Sequence, residues 1–410
     1  MGKLAASVLV RIVARLTSPR ATMAVARVLG VTNKPAGSDV VVNDDARILV
    51  VRPDGIGDVI MTGPMLRELR NALPRSVVTL VVAPRAFNVV ETCPYVDRVV
   101  TVDIAPPRAT TETWWRPLIR RMAAFKAARL HFRGTHFDIA LVPRWGVDSH
   151  EASILAYLSG ASQRVGYSEH VSSLRAKRNG GYDELFTSSI CDRSVKHEVE
   201  RNLGILTALQ IQPTSHLGLE SWLSDGDVAF AEASSVSATD RPIAAIGLGA
   251  GSPRRMWPVE RFAAVGRWAY DQGSSLVVVG GAADERRASE FVARVDRPVL
   301  DLTNRATLRE AAAVLERCSL FYGNDAGTMH LAAAAGVPVV EISCHPKGGD
   351  DLHANSPVRF GPWGVPHRIV QPDFPSAGCI EGCRALTPHC ILNIPVAAVV
   401  RAITSLVAKD

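Results

Sequence analysis

The sequence predicts an α/β fold made of two doubly wound halves, and three observations carry that expectation. Short apolar runs alternate with amphipathic helical patterns from residue 47 onward, and this alternation starts afresh after a break near residues 211–241. The runs lack polar alternation, as strands covered by helices on both faces require. The chain has 410 residues, 47% of them hydrophobic, which is enough to bury two cores of ordinary size.

In the first half the strand-like runs are ILVV (48–51), VVTLVVA (77–83), VVTVD (99–103) and FDIALVP (137–143), with MLRELRNAL and PLIRRMAAFKAARLHF as helices between them. The second half begins after ATDRP. It holds the runs IAAIGLGAG (243–251), SLVVVGG (275–281), PVLDL (298–302), LFYGND (320–325) and PVVEIS (338–343). Helices at about 258–271, 284–295, 307–316 and 327–335 separate them, as crossovers of a parallel sheet should. The expected segments are an N-terminal arm (1–45), a first half (46–215), a linker (216–241), a second half (242–394) and a closing amphipathic helix (395–410). Inside the linker, SWLSDGDVAFAEASS reads as a helix, and Asp225-Gly226-Asp227 as its cap rather than a metal motif. No short tandem repeat is present, which excludes a solenoid.

The net charge of +6 belongs to the arm alone: residues 1–38 carry six basic residues and no acid. The body is balanced, so nucleic acid is not an expected partner. Lys3, Ser7, Arg11 and Arg15 form one polar stripe on a helix otherwise covered by Leu4, Val8, Leu9, Ile12, Val13 and Leu16. Such a helix either lies on an anionic membrane surface or packs on the body with its arginines in water; a transit peptide is a third reading. No run of about 18 uncharged apolar residues occurs, so no transmembrane helix is expected. Seven scattered cysteines do not form a secreted disulfide framework and suggest a reducing compartment.

Ligands of open α/β sheets bind beyond the carboxyl ends of the strands, so the turns there carry the chemistry. The first is RPDGIGDVIMTGP (52–64). Gly55 and Gly57 have the spacing that opens a dinucleotide fingerprint, but Ile60 stands where its third glycine belongs. Asp54 and Asp58 would repel a pyrophosphate at short range. An ionised Asp58 could instead take a proton from an attacking hydroxyl, or simply cap the helix. YGNDAGTMHLAAAAGVP (322–338) is the clearest anion site. Asn324 and Asp325 sit in a loop, Ala326 and Gly327 are small, and the helix start offers free N–H groups, the Thr328 hydroxyl and His330. In GLGAGSPRRMWPVERFAAV (247–265), Gly249, Gly251 and Ser252 keep the backbone close, while Arg254 and Arg255 suit a diphosphate. Asp284, after VVVGG, either accepts ribose hydroxyls or caps its helix.

ILVVRPDGIGDVIMTGPMLRELR and YGNDAGTMHLAAAAGVPVVEI, with GAGSPRRMWPVERFAAV between them, resemble glycosyltransferase family 9 over about residues 46–405. These are the ADP-heptose–lipopolysaccharide heptosyltransferases and their relatives. The resemblance implies the GT-B architecture: two Rossmann-like domains facing a cleft, with the acceptor bound by 46–215 and the donor by 242–394. It implies transfer of a heptose or related sugar from a nucleotide diphosphate, ADP above others, to a lipopolysaccharide-type, lipid-linked or other cell-surface glycan. Inversion at the anomeric carbon, no required metal or cofactor, and a peripheral place at the cytoplasmic face of the plasma membrane also belong to it. By position, Asp58 becomes the general base and Arg255 replaces the family's lysine before the tryptophan. Asp325, Ala326, Gly327, Thr328, Met329 and His330 form the donor loop. Ala326 departs from the family's Ser or Thr, and EISCHPKGGDD (341–351) from its Gly-Pro-Thr or Gly-Ser-Thr. The sugar, acceptor, linkage and oligomeric state are not named by the sequence. A nucleotide-sugar epimerase on the same fold and an inactive nucleotide-binding membrane protein are the competing readings.

Near the end, GCIEGCRALTPHC places Cys379, Cys383 and Cys390 close together. They are either three metal ligands, with His389 or Cys344 as a fourth, or a disulfide or simple packing.

Overall fold

The computed structural model describes residues 15–31, 42–104, 115–213, 218–234, 240–376, 379, 385 and 387–408. Most of the polar stripe, Lys3, Ser7 and Arg11, therefore lies outside the described residues, as does Cys383. The chain forms two compact units, residues 1–194 with 199–215 and residues 195–198 with 216–410.

The first unit is a six-stranded parallel sheet in the order β3-β2-β1-β4-β5-β6. Its strands are β1 (Arg47–Arg52), β2 (Val77–Val82), β3 (Arg98–Thr101), β4 (Ile139–Val142), β5 (Gln163–Tyr167) and β6 (Ser188–Ile190). β1 lies at the centre, in register with β2 from Arg47↔Val77 to Arg52↔Val82 and with β4 from Ile48↔Ile139. All but the first residue of β1 and β2 is buried, which is why both read as continuous apolar runs. β5 and β6 escape the sequence pattern. β5 begins with Gln163 and Arg164 and carries Gly166, where a Cβ would stand 2.3 Å from the Phe186 ring. β6 is a three-residue edge strand that is only partly buried.

The second unit repeats the plan, with strand order β12-β11-β10-β7-β8-β9. β7 (Ile243–Gly247), β8 (Ser275–Val279), β9 (Val299–Asp301), β10 (Leu320–Asn324) and β11 (Val339–Ile342) fall where the sequence places them. β12 (His367–Val370) is a further edge strand, half-buried and charged, that the pattern does not show. Trp257, Phe262, Phe291 and Tyr322 are fully buried in this unit's core. The last helix, Val396–Val407, adds Val399, Ile403 and Leu406 to it, spaced four and three residues apart.

Two expected boundaries shift. Residues 216–241, expected as a linker, belong to the second unit. There the helix Asp225–Ala233 is capped by Ser224, and Asp227 pairs with Arg309 at 2.9 Å, so Asp225-Gly226-Asp227 is a helix start. Within the arm, the helix Pro19–Val28 packs on the first unit. Ala26 joins that core, and Thr22 is buried beneath Arg121, whose guanidinium also donates to Thr17 O at 2.8 Å. None of the described helices is long and apolar enough to cross a membrane.

In the second unit, His197 stacks on Trp363 with ring centroids 4.4 Å apart, and its Nε2 faces Gly361 O at 3.0 Å. Burial pushes its imidazole down to about 4. The unfolded chain, with a histidine pKa near 6.5, then binds a proton that the folded chain refuses. His197 therefore stabilises the fold above about pH 6.5, and that contribution fades as pH falls towards 4. Denaturant titrations at pH 7 and pH 4 should show His197→Phe losing about 3 kcal/mol less stability than the parent over this range. Equal losses in both proteins would refute the buried neutral imidazole.

Candidate functional site

Each sheet reverses its strand order once, between β1 and β4 in the first unit and between β7 and β10 in the second. The loops leaving the carboxyl ends of such a pair part from one another and open a crevice. Every sequence-derived site residue except Asp284 and the cysteines lies on one of these four loops or the helix following it.

In the first unit, β1 delivers Arg52, Asp54 and Asp58, and β4 delivers Arg144. Arg52 is buried; its Nη1 donates to Pro143 O at 2.8 Å, and its Nε lies 3.3 Å from Asp54 Oδ2. Arg144 Nη1 donates to Asp54 Oδ1 at 2.5 Å, and His150 Nδ1 stands 3.2 Å from the same oxygen. Burial alone would raise the Asp54 pKa, but the charges of Arg144 and Arg52 outweigh it and hold the carboxyl well below the usual range. Asp54 is thus a structural anion.

Asp58 is placed differently. Gly55 caps the short helix Ile56–Ile60, and Asp58 Oδ2 accepts the Gly55 N–H at 3.2 Å. The other oxygen faces Arg52 Nη2 at 3.2 Å and Arg144 Nη1 at 4.0 Å. With 24% of its side chain exposed, Asp58 keeps a reachable carboxylate at the strand end. Gly57, expected in the turn, lies inside this helix, so Gly55 alone serves as the turn glycine. The turn holds carboxylates, and two arginines neutralise them.

In the second unit, Asn324 ends β10, fully buried. Its Nδ2 donates to Leu248 O at 2.8 Å, and its Oδ1 accepts the Trp257 N–H at 2.9 Å. One amide thereby ties the loop after β10 to the loop after β7. Beyond it, Asp325 is buried and paired with Arg255 at 3.0 Å. Ala326 caps the helix Gly327–Ala334 without a side-chain bond, and Gly327 and Thr328 lie half-buried at its first turn. Ser252 opens the Pro253–Arg255 turn, also half-buried, with no capping bond from its side chain. His330 is buried, 4% exposed. Met329 is fully buried, so it packs in the core and offers no surface to a ligand, contrary to its place in the expected donor loop.

Asp284 follows β8. Its Oδ2 accepts the Gly281 N–H at 3.0 Å, and its carboxylate presses on Gly249, where a Cβ would stand 2.1 Å from Oδ1. Asp284 therefore caps its turn and also reaches the loop after β7.

Sequence reasoning missed several groups. Arg144 and His150 could have been found by reading the turn after the fourth strand, as was done for the others. Glu341, on β11, is buried, and its carboxyl is held well above the usual range by burial and then by the charge of Asp325. His345 and His353, in the loop after β11, stack with centroids 5.5 Å apart, and burial lowers the pKa of both. In the polar stretch 341–353 such residues carry no pattern that separates a site from a loop. Of the cysteines, Cys379 and Cys390 lie beside His389, whereas Cys344 accepts a bond from Asn355 Nδ2 at 3.7 Å and does not belong to that group.

The family model described as "Glycosyltransferase family 9 (heptosyltransferase)" matches residues 128–383. Lipopolysaccharide heptosyltransferase 2 of Escherichia coli (strain K12) is 22% identical over 301 residues, 72% of this chain and 82% of that protein. Among solved structures, the glycosyl transferase family 9 protein from Veillonella parvula superposes with a TM-score of 0.73 at 23% identity, covering 91% of this chain and 100% of that one. E. coli heptosyltransferase WaaC with ADP gives 0.63 at 20% identity, covering 88% and 99%. The structural likeness shows a shared fold, and the family match, spanning more than half of the sequence, shows that the chain belongs to glycosyltransferase family 9.

Proposed function

We propose that this glycosyltransferase moves a heptose or related sugar from an ADP-linked donor to a lipopolysaccharide-type acceptor, with inversion and with Asp58 as general base. The observation that carries the reading is Asp58 itself, a partly exposed carboxylate fixed at a strand end by Gly55 N–H and Arg52. The relatives' names support the choice of sugar, and the solved complex with ADP supports the nucleotide.

The acceptor hydroxyl attacks the anomeric carbon on the face opposite the diphosphate. The new C–O bond forms as the bond to the diphosphate oxygen breaks, so one displacement inverts the centre. Asp58 takes the hydroxyl proton, and nucleoside diphosphate leaves with the bonding electron pair. Its negative charge is met by the N–H groups at the start of Gly327–Ala334, the Thr328 hydroxyl and Arg255. Asp325, in the loop before this helix, holds Arg255 there, which supports charge neutralisation by the guanidinium rather than by a metal. In this reading Asp284, whose carboxylate reaches the loop after β7, would accept ribose hydroxyls.

Membrane contact is part of this reading. Val25, Val28 and Leu29 follow helical spacing and are 47%, 87% and 60% exposed, with Arg20 and Arg27 on the same helix. An amphipathic surface of this kind suits an anionic bilayer at the cytoplasmic face, where a lipid-linked acceptor would be met.

Asp58→Asn should lower transfer by roughly 10²–10⁴-fold while ADP affinity holds. Transfer should need no added magnesium or manganese. Full transfer by the variant, or isomerisation of a nucleotide sugar without any acceptor, would overturn the assignment. Arg255→Ala should weaken ADP binding by calorimetry roughly 10–100-fold, the loss of one charge-assisted hydrogen bond. Unchanged affinity would remove Arg255 from the diphosphate site. Deleting the arm would also uncover Thr22 and Ala26, so the membrane test is Val25→Glu with Val28→Glu and Leu29→Glu. This variant should sediment severalfold less with phosphatidylglycerol vesicles than the parent. Equal sedimentation would exclude this helix.

A further inference from the structure

We infer that Cys379, His389 and Cys390 bind one zinc ion. The three donor atoms lie within 4.8 Å of one another. Cys379 Sγ meets His389 Nε2 at 2.7 Å, and Cys390, the next residue, turns its buried sulfur to the same point. Neighbouring residues converge in this way because His389 has a backbone outside the helix and strand regions, φ −150° and ψ −76°.

The surroundings prepare the atoms as ligands. His389 Nδ1 faces Thr387 O at 3.3 Å, which favours the proton on Nδ1 and directs the Nε2 lone pair at the sulfur. The Ser376 N–H donates to Cys390 Sγ at 3.2 Å and fixes the position of that sulfur. Donor atoms around a tetrahedral zinc stand about 3.5–3.8 Å apart, so the sulfur–imidazole contact opens by about 1 Å when the ion enters. Two thiolates and one imidazole are a soft to borderline set that selects zinc over magnesium or calcium. Binding displaces the two thiol protons to solvent and changes no oxidation state.

The location defines what the ion does. From Val370 to Pro395, only the turn Cys390–Asn393 has regular structure among the described residues. The chain just after the ligands is what covers Trp257, whose Nε1 donates to Ile394 O at 3.0 Å. Arg261 Nη1 donates to Leu392 O and Ile394 O at 2.6 and 2.7 Å. Trp257 lies two residues beyond Arg255. The zinc is therefore a structural clip that fixes the backing of the diphosphate turn and takes no part in bond breaking.

The test is elemental analysis of the full chain, purified without an affinity tag that binds metal, beside Cys379→Ser, His389→Gln and Cys390→Ser. About one zinc per parent chain is expected, falling tenfold or more in each variant. Since a variant can fail to fold, the parent is also exchanged with cobalt. Thiolate-to-cobalt charge-transfer absorption together with intense tetrahedral d–d bands supports the site. A metal-free parent, one equivalent of iron in place of zinc, zinc retained by all three variants, or a disulfide between Cys379 and Cys390 overturns it. These readouts do not depend on sugar transfer, so they succeed or fail apart from the proposed reaction.

Discussion

Where the strand order of a parallel sheet reverses, the two flanking loops turn away from each other and leave polar groups stranded between them. Both units meet this constraint with buried polar ties, and their functional groups hang from those ties. In the first unit the tie is ionic: Arg52 holds Pro143 O, Asp54 and Asp58 at once, while Arg144 returns from β4 to Asp54. In the second it is one neutral amide, Asn324, which uses donor and acceptor to bind the loop after β7. The ionic tie is the more demanding, because removing either arginine leaves a fully buried carboxylate short of positive charge. It also sets the charge around Asp58, so the same guanidinium that closes the fold holds that carboxylate in place.

The second unit handles charge in the opposite direction. In the proposed reaction a leaving diphosphate would bring negative charge to a place that already contains Asp325 and Glu341. The first is paired with Arg255, and the second favours its protonated form because burial and Asp325 disfavour the anion. Two acidic side chains thus add little net negative charge at the helix start, which keeps it receptive to an anion.

What could be read from the sequence follows from how each feature is buried. Strands covered on both faces wrote themselves as apolar runs, so β1, β2, β4, β7, β8, β10 and β11 were legible; the edge strands β3 and β9 are only partly buried but keep apolar residues, and were legible too. Edge strands β6 and β12 are half-exposed, and β5 trades a side chain for the Phe186 ring at Gly166. The loop after β10 was legible because a strand, small residues and a helix start follow in order. Glu341 was not, since one polar residue within an apolar run looks the same whether it serves a core or a site; Arg144 and His150 were legible only to a reading of the turn after β4. Met329 marks the converse error: its neighbours line the loop, but helical rotation turns its own side chain inward.

The contact between Gly249 and Asp284 makes these two positions a single unit of variation. The glycine exists because the carboxylate fills the space its side chain would need. Alanine at 249 is therefore tolerated only beside a shorter residue at 284, and the two substitutions together should be far less harmful than their separate effects summed. Variants with a shorter residue at 284 gain freedom at 249 in the same step. The paired positions thus form a route by which the space between these two loops can be resized without disturbing the sheet beneath it.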